Sequence, residues 1–224
     1  MELNKVYNMD CLDLMKTLPD DYFDLVITDP PYGINIGKKV GGDKPFGSKG
    51  EKNRGKEICK AKEYVAFDDS NIPSKEIFAE ILRVSKNQII FGGNYFVEYL
   101  YNSSCWIVWD KDNSGNFADC ELAWTSFSTA VRKFKHRWNG MLQEDMKWKE
   151  KRKHPTQKPV PLGRWLLEKY ANKGDKIFDP FAGSGSFLVA CKQMGFDFVG
   201  CEKEEAYCNI INDRLKQHNL EGWF

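Results

Sequence analysis

Short apolar runs alternate along this chain with stretches whose apolar residues recur every three or four positions. Leu25-Val26-Ile27, Gln88-Ile89-Ile90-Phe91, Cys105-Trp106-Ile107-Val108-Trp109, Lys176-Ile177-Phe178 and residues 196–200 are of the first kind. Runs this short, rich in branched and aromatic residues and closed by Asp, Gly or Pro, predict buried strands. Residues 6–9 and the β-rich stretch 121–130 bring the expected strands to seven. The second kind predicts helices over 11–17, around Ile77, Phe78, Ile81 and Leu82, over 94–101, along Leu162, Trp165, Leu166 and Tyr170, over 187–194 and over 205–215. Pro161 sits where a first helical turn tolerates proline. Alternation of strand and helix predicts an α/β domain with a mostly parallel sheet. Ligands of such sheets bind beyond the carboxyl ends of the strands, where the strand order reverses.

Two segments interrupt the pattern. Residues 33–66 hold seven glycines and nine Lys/Arg against four Asp/Glu, which predicts a mobile basic loop. Residues 131–153 hold nine Lys/Arg against three Asp/Glu, with Phe134, Trp138 and Trp148 interleaved. The formal net charge is only +1, so these segments create local positive fields that the total hides. The rest reads as a single domain over 1–224, and 42% apolar residues suffice for its core. Seven irregularly spaced cysteines without a Cys-x-x-Cys pair, and His only at 136, 154 and 218, predict no metal site. Reduced core thiols fit a cytoplasmic protein. No signal-peptide core opens the chain and no apolar run reaches eighteen residues, so no membrane span is expected.

The distinctive loops follow strand ends. Asp29-Pro30-Pro31-Tyr32 is a stiff turn, because each proline fixes φ and removes an N–H. It offers a carboxylate and a flat ring, a combination suited to a planar, amine-bearing group. Asp179-Pro180-Phe181-Ala182-Gly183-Ser184-Gly185 joins a strand to a helix with the spacing Gly-x-Gly, a weak nucleotide-type signal alone. Glu202 closes the next strand, 17 residues after Gly185, where a carboxylate can accept from ribose hydroxyls.

Together these loops resemble the amino-methylating DNA methyltransferases that use S-adenosylmethionine. The tetrapeptide precedes the glycine loop, which resembles the circularly permuted β-class order. His154-Pro155-Thr156-Gln157-Lys158-Pro159 is similar to that family's third cofactor element, and Asn8-Met9-Asp10-Cys11 to its short acidic element. The resemblance implies a Rossmann-like, seven-stranded sheet with helices on both faces. It implies that Asp29, Pro30, Pro31 and Tyr32 are catalytic. It gives S-adenosylmethionine to Asp10, Asp29, Thr156, Gln157, Lys158, Asp179, Phe181, Ala182, Gly183, Ser184, Gly185 and Glu202. Glu202 would hold the ribose, Asp10 the cofactor's adenine amine, and Thr156, Gln157 and Lys158 the methionine carboxylate.

The implied activity is methylation of the exocyclic amine of a flipped adenine in double-stranded DNA, because Asp in the first tetrapeptide position resembles the adenine branch. Such a base cannot react inside the duplex. Lys38, Lys39, Lys44, Lys49, Lys52 and Arg54 would contact phosphates. Arg132, His136, Arg137, Trp138 and Gln143 lie where the family places target recognition and would read or wedge bases. Cytosine-amine methylation, glutamine-amide methylation of a protein and a catalytically inactive DNA-binding module are the other readings. The resemblance admits a homodimer and a companion restriction enzyme as partners.

Overall fold

The protein is described by a computed structural model over residues 1–35, 69–113, 118–139 and 142–217. From residue 36 onward the loop expected at 33–66 lies outside the described residues, with Lys38, Lys39, Lys44, Lys49, Lys52 and Arg54.

The strands are β1 (Lys5–Asn8), β2 (Phe23–Thr28), β3 (Ser85–Phe91), β4 (Trp106–Asp110), β5 (Cys120–Thr125), β6 (Arg132–Lys135), β7 (Trp138–Asn139), β8 (Leu142–Gln143), β9 (Lys176–Asp179) and β10 (Asp197–Glu202). Among the described residues, eight of them form one sheet in the order β1-β10-β9-β2-β3-β5-β4-β6, and β7 pairs with β8. All neighbours run parallel except at β5, which is antiparallel to both β3 and β4. The sheet thus has one strand more than expected. The addition is β6, from the basic segment, which pairs with β4. Its Phe134 packs against Trp165 at 5.2 Å while Arg132, Lys133 and Lys135 stay exposed. A charged outer strand also discourages pairing with another chain.

The two sheet faces follow the period of two along each strand. Leu25, Ile27, Ile89, Phe91, Ile177 and Phe198 pack on one face with helices α3 (Val160–Tyr170), α4 (Ser186–Met194) and α5 (Glu205–Gln217). Val26, Ile90, Phe178, Val199 and Cys201 pack on the other with α1 (Cys11–Met15) and α2 (Lys75–Arg83). The helix expected over 94–101 is only a single 3-10 turn, Gly93–Tyr95. No continuous apolar face exists there: Phe96 is buried while Val97 and Tyr101 are exposed. Among the described residues, no helix is long and apolar enough to cross a membrane.

Strand order reverses between β9 and β2. From β2 the chain moves outward to β3, and from β9 it moves the other way to β10. The two strand ends are clamped there, where Thr28 Oγ1 donates 2.9 Å to buried Asp179 Oδ1. Their loops therefore diverge from neighbouring points on the carboxyl edge, and a crevice opens between them.

Gly185 caps α4 with φ +77°, and a Cβ there would stand 2.8 Å from Ile211 Cγ2. Gly185→Ala combines a left-handed backbone penalty with overpacking and should cost roughly 2–4 kcal/mol of stability. Urea unfolding followed by circular dichroism measures that loss.

Candidate active site

A cavity of about 860 Å³ opens over the crevice. Asp10, Asp29, Pro30, Pro31, Tyr32, Thr156, Lys158, Phe181, Gly183 and Glu202 line it, so the structure gathers residues from all four sequence elements. Asp179, Ala182, Ser184, Gly185 and Gln157 are not part of the lining; they build the wall behind it.

On one side stands the proline turn. Tyr32 donates its hydroxyl to Asp29 Oδ1 at 2.5 Å. Its ring stacks on Tyr95, with centroids 4.9 Å apart and planes 14° from parallel. Gly92 makes room for that ring: a Cβ there would lie 2.2 Å from Tyr32 Cε1. Buried Asp69 accepts from Gly33 N–H at Oδ1 and from Asn35 N–H at its carbonyl, each 3.0 Å. Residue 69 is thereby tied beside the turn that residue 35 leaves.

Deeper in the cavity Lys158, only 5% exposed at its side chain, lies between two carboxylates. Its ammonium donates to Asp29 Oδ2 and stands 3.0 Å from Glu121 Oε2 and 3.5 Å from the Tyr32 hydroxyl. Lys111 pairs with the other Glu121 oxygen. Burial and strand direction explain the gathering. β4 is parallel to the central strands, so Lys111 just past its end reaches the carboxyl edge. β5 is antiparallel, so its beginning, with Glu121, reaches the same edge.

Burial works against the Lys158 charge, but Asp29 and Glu121 outweigh it and raise its pKa. Burial likewise opposes the Glu121 charge, and Lys158 and Lys111 overcome it, holding that carboxyl at about 2. Asp29 is balanced differently. Burial pushes it up, Lys158 pulls it down and Glu121 pushes it up again, which leaves it above the ordinary carboxylate value. Buried His154 is pushed down to about 4, by burial first and Lys158 second. As a neutral ring it accepts from Thr156 N–H at Nδ1, 3.2 Å away.

The opposite side carries the glycine loop. Glu202 Oε2 accepts from Gly183 N–H at 2.8 Å and Oε1 from Glu204 N–H at 2.9 Å. Each oxygen keeps a further lone pair for a ligand hydroxyl. Asp10 caps α1, accepting from Leu12 N–H at 2.9 Å, and lines the cavity. A Cβ on Gly183 would meet nothing within 4 Å, so the backbone there is open to the cavity. Two carboxylates, open glycine backbone and the Phe181 ring fit a nucleoside-bearing cofactor. Gln157 serves the wall: it donates to Glu150 Oε1 at 2.7 Å and accepts from Lys153 N–H at 2.7 Å.

Trp138 and Gln143, expected to read or wedge bases, do not present their side chains to solvent. Both are buried; Trp138 Nε1 donates to Gln157 O at 2.9 Å, and Gln143 exchanges two 2.8 Å bonds with the Glu150 backbone. Arg132 and Arg137 are exposed, Arg137 pairing with Asp112, and half-buried His136 stacks on Phe134 at 5.6 Å. Lys111, Glu121 and Tyr95 escaped the sequence reading. Lys111 and Tyr95 follow strand ends, a signal already in hand; for Glu121 the signal would have been strand direction.

A family model described as DNA methylase matches residues 23–213. The chain is 26% identical over 254 aligned residues to the type II methyltransferase M.HinfI of Haemophilus influenzae, covering 96% of this chain and 69% of that protein. It is 27% identical over 241 residues to the type II methyltransferase M2.DpnII of Streptococcus pneumoniae, covering 94% and 88%. The solved structure of the M1.HpyAVI–SAM complex shares the fold at a TM-score of 0.54 and 22% identity, covering 94% of this chain and 98% of that one.

Burial holds Asp179 at a pKa of about 8, against about 3.9 for a free aspartate. The folded state then binds the extra proton between those values, so this group's contribution to stability falls as pH rises from roughly 4 to 8. Asp179→Asn should remove that component. Urea unfolding at several pH values across this window should give a flatter stability profile for the variant.

Proposed function

The chain belongs to the DNA methylase family, and from that premise we propose that it methylates the exocyclic amine of an adenine flipped out of double-stranded DNA, with S-adenosylmethionine as donor. The observation that carries the reading is one cavity with two unlike halves. Asp29 and an aromatic pair stand on one side of the β9–β2 crevice, and Asp10, Glu202 and open glycine backbone on the other.

The cofactor supplies, when bound, an electrophilic methyl group. Asp10, Phe181, Gly183 and Glu202 are the residues that would hold it. Asp29 acts on the amine. Its oxygens accept from Tyr32 and Lys158, and each retains a lone pair for an amine N–H. An amine hydrogen-bonded there is turned away from conjugation with its ring, and the carboxylate stabilises positive charge as it develops on nitrogen. No prior proton abstraction is required of Asp29. Tyr32, fixed at its hydroxyl and stacked on Tyr95, belongs to a flat wall against which a planar base packs. Arg132 and Arg137, both exposed, and half-buried His136 are the candidates for DNA contact among the described residues. Adenine is preferred to cytosine because the tetrapeptide begins with Asp.

Incubation with DNA and S-adenosylmethionine, followed by nucleoside mass analysis, should yield N6-methyladenine. N4-methylcytosine would transfer the assignment to cytosine, and no methylated nucleoside would overturn both. Asp29→Ala should lower kcat by about 10²–10³-fold or more while cofactor affinity changes only a few-fold. Glu202→Ala should weaken cofactor binding by about tenfold or more in calorimetry, as loss of a charge-assisted hydrogen bond predicts.

A further inference from the structure

Lys158 poses a problem for the chemistry just described. A carboxylate that stabilises positive charge is weakened by a cation already bound to it. Asp29 holds the Lys158 ammonium directly, inside a cavity wall where charges are poorly screened. Were the two alone, the ammonium would direct its whole charge at Asp29.

They are not alone. Glu121 Oε2 stands 3.0 Å from the same ammonium. Lys111 occupies the other oxygen of Glu121, so the row Lys111, Glu121, Lys158, Asp29 alternates in sign. Among the described residues, the other groups around Asp29 are the Tyr32 hydroxyl, Asp179 behind it, Tyr95 beyond Tyr32 and His154 beside Lys158. Lys158 also lies over the Phe91 and Tyr32 rings, at 5.3 Å and 5.7 Å, which confine it to the space between the two carboxylates.

We propose that Glu121 is a positioning residue for catalysis: by sharing the Lys158 ammonium it holds that cation between two carboxylates and stops it from cancelling the charge of Asp29. The proposal rests on the reading of Asp29 as the group that accepts the amine. With all four members the row is neutral. Loss of the Glu121 charge leaves it at +1, in a site that must accommodate a sulfonium cation and a developing ammonium. Loss of the Lys158 charge leaves it at −1 and drives Asp29 towards its protonated form. The two losses perturb Asp29 in opposite senses, and together they cancel.

The directions of titration support this geometry. Glu121 pushes the Asp29 carboxyl up and Lys158 pulls it down. The test compares Glu121→Gln, Lys158→Met and the double variant with the wild-type protein. Carboxyl-¹³C NMR of aspartate-labelled protein follows Asp29 without substrate, and kcat for DNA methylation is measured against pH. Glu121→Gln should move the Asp29 titration and the acid limb of kcat to lower pH. Its plateau kcat should fall on the order of 10- to 100-fold, with KM for DNA within a few-fold. Lys158→Met should move both to higher pH. The double variant should titrate between the two and exceed Lys158→Met in kcat at neutral pH. Glu121→Asp, which keeps the charge, should titrate closer to wild type than Glu121→Gln.

A shift in the same direction for both single variants would overturn the proposal, because loosened packing moves both alike. So would strictly additive losses or a wild-type kcat in Glu121→Gln. Failure of the wild-type protein to methylate DNA would sink the functional reading instead, and the NMR titration would still decide whether the charged row behaves as described.

Discussion

A lysine ammonium withdrawn from water is the constraint on which this site depends. The effective penalty for burying such an ion is several kcal/mol, and only close, well-directed partners repay it. Lys158 finds a hydrogen-bonded one in Asp29, on the loop after β2, and a second ion-pair partner in Glu121, at the start of β5. Burial alone would favour the neutral form of Asp29, and the cation opposes it. The cation in turn is paired with both carboxylates. Lys111 closes the sequence by compensating Glu121. Asp29 is therefore positioned by charge balance across three strands as much as by the stiffness of its own turn.

A second clamp sets where that balance can act. Thr28 and Asp179 join β2 to β9 at the point of strand reversal. Asp179 also accepts from Phe181 N–H at 3.2 Å, which begins the glycine loop. One buried carboxyl thus fixes both loops relative to each other. The basic segment is tied into the same frame. Glu150 accepts from Gln157, from Val160 N–H and from Arg214, and Arg214 continues to the Ser184 carbonyl under the glycine loop. Buried Trp138 and Gln143 belong to this brace. Their aromatic and amide groups, which suit base reading, join the segment to the wall behind the cavity.

Much of the fold was legible because buried strands and amphipathic helices leave periodic marks. The seven expected strands all exist, and the helices around Phe78, along Leu166, over 187–194 and over 205–215 lie where apolar spacing put them. β6 was hidden because an edge strand needs only one inward residue, Phe134, and its other positions read as loop. The false helix at 94–101 shows the converse. Aromatic density there serves a turn that carries Tyr95 to the cavity rather than a helical face.

The sequence by itself determined the chemistry on offer: a carboxylate and ring on a proline turn, a glycine loop, and an acidic residue closing the following strand. Those are local properties, set by which residues adjoin a strand end. Tertiary structure decided which of them share a cavity, and which, like Gln157 and Ser184, stand behind its wall. It also decided that Glu121 and Lys111 belong to the site. Strand direction brings them to the carboxyl edge, and direction is a property of the whole sheet. No local pattern records it, because a strand buries the same residues whichever way it runs.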